Sequence, residues 1–203
     1  MPEKHTHYSP RKETAMQFED LIPRTRALMA EELDCDMASG TLYLSDRLSD
    51  AGRRDYPRLL AEALTAHEPG WLEAQLREGG RLSDTESYTR SGVTRERRVP
   101  ATAAATLAEG EYNRFYCRAV CRLAAEAGPA AEVEVYRAKP VSSPRPESEA
   151  KIGTRVNAAG LLADLRWNKG VDTALGVPAG PNSGLSVRLV RGGETRLAAA
   201  SKK

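Results

Sequence analysis

The chain has 203 residues, 40% of them hydrophobic, and 30 Lys and Arg set against 28 Asp and Glu for a net charge of +2. That is enough apolar material for a core, and too balanced a charge for a histone-like polycation or an acidic solubilising tail, so attraction to nucleic acid would need a local basic patch. Only 5% of residues are aromatic, leaving the core to Leu, Val and Ala, and no run reaches the roughly 18 apolar residues of a membrane span.

Residues 1–14, "MPEKHTHYSPRKET", are polar and carry two prolines, which reads as a flexible arm. They lack the apolar run of a secretory signal. The three cysteines, Cys35, Cys117 and Cys121, are too few and too oddly spaced for a disulfide framework. A reducing compartment and cytoplasmic synthesis are expected. Residues 15–198 are read as a single domain, helical over 15–80 and mixed over 81–198, with 199–203 a tail.

Helical spacing begins near Thr14 with Met16, Phe18, Leu21 and Ile22, is interrupted at Pro23, and resumes from Thr25 with Leu28, Met29 and Leu33. "TLYLS" (41–45) reads as a short strand. "DYPRLLAEALTAHE" and "PGWLEAQLREGG" each place leucines on one face and read as two helices. "ESYTRSGVTRERRVP" is a hairpin across Ser91-Gly92, in which Arg90 meets Val93, Tyr88 meets Arg95 and Glu86 meets Arg97. Such a ribbon is barely stable alone and is expected to lean on something.

"ATAAATLAEG" reads as a short helix or coil. The next stretch, "EGEYNRFYCRAVCRLAAEAG" (109–128), puts Tyr112, Phe115, Tyr116, Ala119, Val120, Leu123 and Ala127 on one helical face. It is the expected central helix. "EVEVYRA" (132–138) is a strand and "KPVSSPRPESEAK" a loop. "NAAGLLADLRWNKG" is a helix capped by Asn157 with Leu161, Leu162 and Leu165 as its stripe. "GVPAGPNSG" is too broken for a regular element, and "LSVRLVRGGETRLA" reads as a closing hairpin. Helices first and scattered strands after favour an α+β fold with a small mixed sheet over an alternating one.

The candidate contact residues are basic. Arg90, Arg95, Arg97 and Arg98 surround the hairpin, and a two-stranded ribbon can enter a DNA groove or reach over a neighbouring subunit. Arg114, Arg118 and Arg122 recur every four residues and form a stripe on the central helix. Either the stripe is solvated and paired, with Glu111 and Glu126 in reach, or it faces phosphates or a partner's carboxylates.

The catalytic signals are thinner. Glu147, Glu149 and Lys151 make the E-x-K core of a metal-dependent nuclease pattern, without the strand or upstream acid it needs. Cys117 and Cys121 are spaced for neither a zinc site nor a redox pair. His5 and His7 form an H-x-H in the arm, and Pro69 blocks a metalloprotease helix at His67. The glycine loop lacks the lysine-serine ending of a phosphate cradle. No cofactor and no metal site are expected.

The block "EGEYNRFYCRAVCRLA", followed by "VEVYRAK", "PRPESEAKIG" and "GVDTALGVPAGPNSGLSVRL", resembles small structural proteins encoded by tailed phages and prophages. Residues 1–80 contribute nothing to it. The resemblance implies multisubunit assembly, with incorporation into a virion as its most specific form, and brings no catalytic motif. The leading expectation is a non-enzymatic assembly protein with protein partners, including itself, and no membrane. The alternatives are a nucleic-acid-binding protein using the two arginine groups, and the E-x-K nuclease.

Overall fold

The computed structural model describes residues 15–169 and 183–191. In chain order these form α1 (Pro23–Ala38), α2 (Asp50–Ala66), α3 (Pro69–Arg77), β1 (Thr85–Arg90), β2 (Val93–Arg98), α4 (Ala103–Ala125), β3 (Glu132–Arg137), α5 (Pro146–Glu149), β4 (Arg155–Asn157), α6 (Ala158–Trp167) and β5 (Leu185–Leu189). The class is α+β. Its sheets are a two-stranded ribbon, β1-β2, and a three-stranded sheet in the order β4-β3-β5. Both are antiparallel, so the small sheet expected to be mixed is not.

Pro23 decides where α1 starts. Ile22 before it is extended, at φ −96° and ψ 167°, as a following proline demands. Pro23 then takes the first helical turn, where its missing N–H costs nothing. The helical spacing expected from Thr14 is therefore not realised, and the described residues before Pro23 form an irregular strap. Its backbone is tied down from outside: the Gln17 N–H donates to the Ala138 carbonyl at 2.8 Å, and the Asp20 N–H donates to the Tyr116 hydroxyl at 2.9 Å. The Phe18 ring packs on Tyr112 and Tyr116, with centroids 5.1 and 4.7 Å away. The strand expected at 41–45 is also absent. Leu42, Tyr43 and Leu44 pack against the core, but no neighbouring strand offers them a ladder.

Two helices follow as the apolar stripes require. The Ser49 hydroxyl accepts from the Gly52 N–H at 3.1 Å, so α2 opens ahead of the stripe it was expected to begin with. It buries Tyr56, Leu59, Leu60, Ala63 and Leu64, and α3 buries Leu72 and Leu76.

The centre of the molecule is α4. "ATAAATLAEG" is not a separate piece but supplies its opening turns, making one helix of 23 residues. Helices α1, α3 and α6 and strands β3 and β5 all pack on it. A helix covered on every side has no solvent face for charges. Tyr112, Phe115, Tyr116, Ala119 and Val120 are buried as the stripe implied, but so are Cys117, Cys121, Glu111, Arg114 and Arg118.

On the far side of α4, the buried Val133 and Val135 of β3 pair with Leu189 and Val187 of β5. Gly184 leads into β5 with φ +65°, and a Cβ there would lie 2.3 Å from the Lys139 carbonyl oxygen. Only glycine fits this seam. The second arm of the expected closing hairpin, and residues 176–182 of the glycine loop, lie outside the described residues. Asn157 caps α6 as expected, its side chain accepting from the Gly160 N–H at 2.9 Å. Among the described residues no helix is long and apolar enough to cross a membrane.

Candidate functional site

The two arginine groups singled out by the sequence end in opposite environments. On α4, Arg118 is 1% exposed. Its Nε donates to Glu32 Oε2 at 2.8 Å, its Nη1 to Asp36 Oδ2 at 2.7 Å and its Nη2 to Asp36 Oδ1 at 3.1 Å. Glu32 and Asp36 lie one turn apart on α1 and face α4 together. Arg122 reaches Glu32 and Glu31, at 3.3 and 2.7 Å. Arg166, from α6, adds a second fork on Glu32, with its Nε 3.0 Å from Oε2. Three guanidiniums thus meet three carboxylates and the charge closes on itself. Burial works to raise the Glu32 carboxyl, but the Arg166 hydrogen bond and the Arg118 charge outweigh it and hold it below the ordinary carboxylate value.

Arg114 is 5% exposed and bonded to Glu111 one turn before it. The expected contact stripe is therefore corrected: Arg114 and Arg118 face the interior, and Arg122 faces α1. The reading that paired these arginines with carboxylates holds for Glu111. Glu126 goes elsewhere, to Arg24.

The ribbon keeps its arginines outside. Its register is the expected one, with Arg90 opposite Val93, Tyr88 opposite Arg95 and Glu86 opposite Arg97. Ser91 and Gly92 both have positive φ, 52° and 75°, the twist a two-residue hairpin turn needs. The aromatic contact is diagonal and not direct: the guanidinium over Tyr88 belongs to Arg97, 5.1 Å from the ring centroid. The ribbon is tied to the body at its foot, where Glu86 takes the Nε groups of Arg47 and Arg97 and its pKa is lowered by them. Beyond the foot, every residue of β2 is exposed. Among the described residues, no ion pair reaches Arg90, Arg95 or Arg98.

The remaining candidates do not converge. Glu149 is bonded to Arg137 rather than facing Glu147 and Lys151. Among the described residues no group of three His, Cys, Asp or Glu side chains is placed to hold a metal ion. Burial pushes the Cys121 thiol far above its ordinary range, the reverse of a reactive cysteine. His67 stacks on Trp71 at 4.3 Å.

One feature had no signal in the sequence. A cleft of about 790 Å³ runs along α4 between the ribbon's foot and α6. Leu107, Leu161, Leu165 and Leu185 line it, together with Arg47 and Glu86 at the foot and the buried pair Glu111 and Arg114. Burial raises the Glu111 carboxyl against the opposing pull of Arg114. The Nε and Nη1 of Arg114 are buried and have no hydrogen-bond partner among the described residues. Leu107, Glu111 and Arg114 share α4 at helical spacing, and Leu161 and Leu165 share α6, but the two sets meet each other and Glu86 only across the fold, so no local motif announces the cleft.

No family model matches this chain, and no curated protein or solved structure is significantly similar to it.

Proposed function

We propose that the chain is a non-enzymatic assembly protein that docks on a neighbouring protein subunit through the β1-β2 ribbon. The observation that carries this reading is the ribbon itself. It projects from the helical body with Arg90, Arg95 and Arg98 exposed and bound to no carboxylate of the described residues. A lone two-stranded ribbon is marginal in water, so a second surface is its natural stabiliser. The charges along it discourage indiscriminate edge pairing and select a complementary, acidic partner face. The setting that fits this reading is a multisubunit particle, as implied by the resemblance of roughly the last 95 residues to phage structural proteins.

The same three arginines also support a second reading, in which the acidic face is a phosphate backbone. Light scattering on the eluting full chain separates the two. Assembly predicts an oligomer that the combined change Arg90→Glu, Arg95→Glu and Arg98→Glu dissociates while the helical signal stays intact. A monomer at all accessible concentrations that shifts duplex DNA in a steeply salt-dependent way selects the second reading. A monomer that binds neither itself, nor another protein subunit, nor DNA ends both.

A further inference from the structure

The two faces of the ribbon differ. Side chains alternate along a strand, and residues directly opposite each other share a face. The register therefore puts Tyr88, Arg90, Val93, Arg95 and Arg97 on one face, and Thr89, Thr94, Glu96 and Arg98 on the other. At the tip of the first face an apolar side chain, Val93, stands 52% exposed beside Arg90 and Arg95. The other large apolar side chains exposed among the described residues are Ile22, Met37, Ile152 and Trp167. They lie on or next to the helices α1, α5 and α6, whereas Val93 is carried outward on a projection.

The cleft along α4 has the complementary chemistry. Its leucines, Leu107, Leu161, Leu165 and Leu185, favour an apolar occupant. Its charged lining is Asp46, Glu86, Glu109 and Glu111 against Arg47 and Arg114, which favours a cationic visitor. Glu86, Glu109 and Glu111 are each held closely by a cation of their own. Asp46 has slack: its side chain is fully exposed and its contact with Arg53 is 3.3 Å long, a surface pair that contributes little and can change partner. At about 790 Å³ the cleft admits the tip of a ribbon and not its length.

A chain cannot fill its own cleft. Thr85 to Ser87, the foot of the ribbon, form part of the cleft wall, and the turn at Ser91 lies four residues further out, roughly 13 Å at the rise of a strand. The tip points away from the cleft it borders. Resting on the docking reading above, we propose that the partner is a second copy of this chain: Val93 of one copy enters the leucine-lined cleft of the next, and Arg90 and Arg95 meet Asp46 at its mouth. Ribbon and cleft are different surfaces, so the contact is heterologous, each copy giving one ribbon and receiving one. Arg98, on the opposite face, takes no part in it.

The test is complementation between two variants of the full chain, read by light scattering. The ribbon variant carries Arg90→Glu, Val93→Asp and Arg95→Glu and keeps its cleft. The cleft variant carries Thr106→Phe, which places a ring among the cleft's lining residues, and keeps its ribbon. Wild type is expected to be an oligomer and each variant alone a monomer. Mixed in equal amounts, they should form a particle of two chains and nothing larger, because one intact ribbon then has one intact cleft. Asp46→Arg, at a fully exposed position, should raise the dissociation constant of the wild-type oligomer about tenfold, and is a second cleft variant if Thr106→Phe fails to fold. Arg98→Glu alone should leave the particle size unchanged. A wild-type monomer, or a mixture that stays monomeric, would overturn the proposal while docking on a different subunit stands. An oligomer dissociated by the ribbon changes but by neither cleft change would show that the ribbon docks elsewhere. An oligomer indifferent to the ribbon changes would overturn the docking reading as well.

Discussion

Arg118 and Arg95 are the same residue type in equally basic stretches, yet one is sealed in the protein and the other stands in solvent. The difference lies in what each meets across space. Helix α1 brings Glu32 and Asp36 to Arg118 from a distant part of the chain. Among the described residues nothing brings a carboxylate to Arg95. An arginine row is thus not a binding surface by virtue of its spacing; it becomes one only where the fold withholds the counter-charges. On α4 the charges join three helices to one another, and on the ribbon they remain available to another molecule.

The sharpest way to break this contrast is to make the same substitution in both places. Arg118→Ala strands Asp36 and part of Glu32 in the interior and should cost about 3–5 kcal/mol, a large part of the roughly 5–15 kcal/mol that holds a typical domain together. Urea denaturation followed by circular dichroism measures it. Replacing Glu32, Asp36 and Arg118 together by Leu should cost less than Arg118→Ala alone, since the fully buried charges leave together and the cation that loses its carboxylate, Arg166, is half-exposed. A triple variant weaker than the single one would show that the network contributes more than the removal of its own desolvation cost.

Acid tests the same network without mutation. The Glu32 pKa is lower in the folded protein than its ordinary value of 4.5. Its ionised form therefore contributes stability that is present above that value and is lost as pH falls through the folded pKa. The wild-type urea midpoint should drop on acidification below the ordinary carboxylate pKa. Glu32→Gln should be weaker at neutral pH and should show a shallower fall. Parallel pH profiles for the two proteins would remove Glu32 from the account.

A smaller effect is expected where the network is supported indirectly. Asn157 caps α6 through the Gly160 N–H and also donates to the Pro129 carbonyl at 3.1 Å. Helix α6 presents Arg166 to Glu32. Asn157→Ala should cost about 1 kcal/mol, again by urea denaturation. Combined with Arg166→Ala, the two losses should be less than additive, because a frayed α6 already holds Arg166 loosely.

What was legible in the sequence was local. The Ser91-Gly92 turn with its cross-strand pairs, the Asn157 cap and the leucine stripes of α2, α3 and α6 each depend on neighbours a few residues away, and each stands in the structure. Non-local features were not legible. Phe18 sits at helical spacing from Met16 and Leu21, but tyrosine hydroxyls from β3 and α4 supply partners that make a strap better than a helix there. Thr41 to Ser45 have strand formers and no strand beside them. The interior place of Arg114 and Arg118 could have been suspected from one thing only: α4 is the longest helix, and a long helix in a small α+β protein is covered on several sides. The cleft had no local signal, since Leu107 and Arg114 of α4 meet Leu165 and Glu86 only across the fold.

The smallest effect on stability should come from the ribbon, and its size there grades the residues one by one. Arg97 bonds Glu86 and covers Tyr88, so Arg97→Ala should loosen the hairpin by up to about 1 kcal/mol. Among the described residues Arg90, Arg95 and Arg98 touch no carboxylate, so Ala at all three should leave the global urea midpoint within about 0.5 kcal/mol of wild type. Light scattering on the same triple variant should nevertheless show a smaller particle. Stability and association then separate, as they must if these three side chains serve another molecule and not their own fold. A triple variant that lost stability in step with its association would place the ribbon arginines in the same class as Arg118, and the contrast between the two regions would fail.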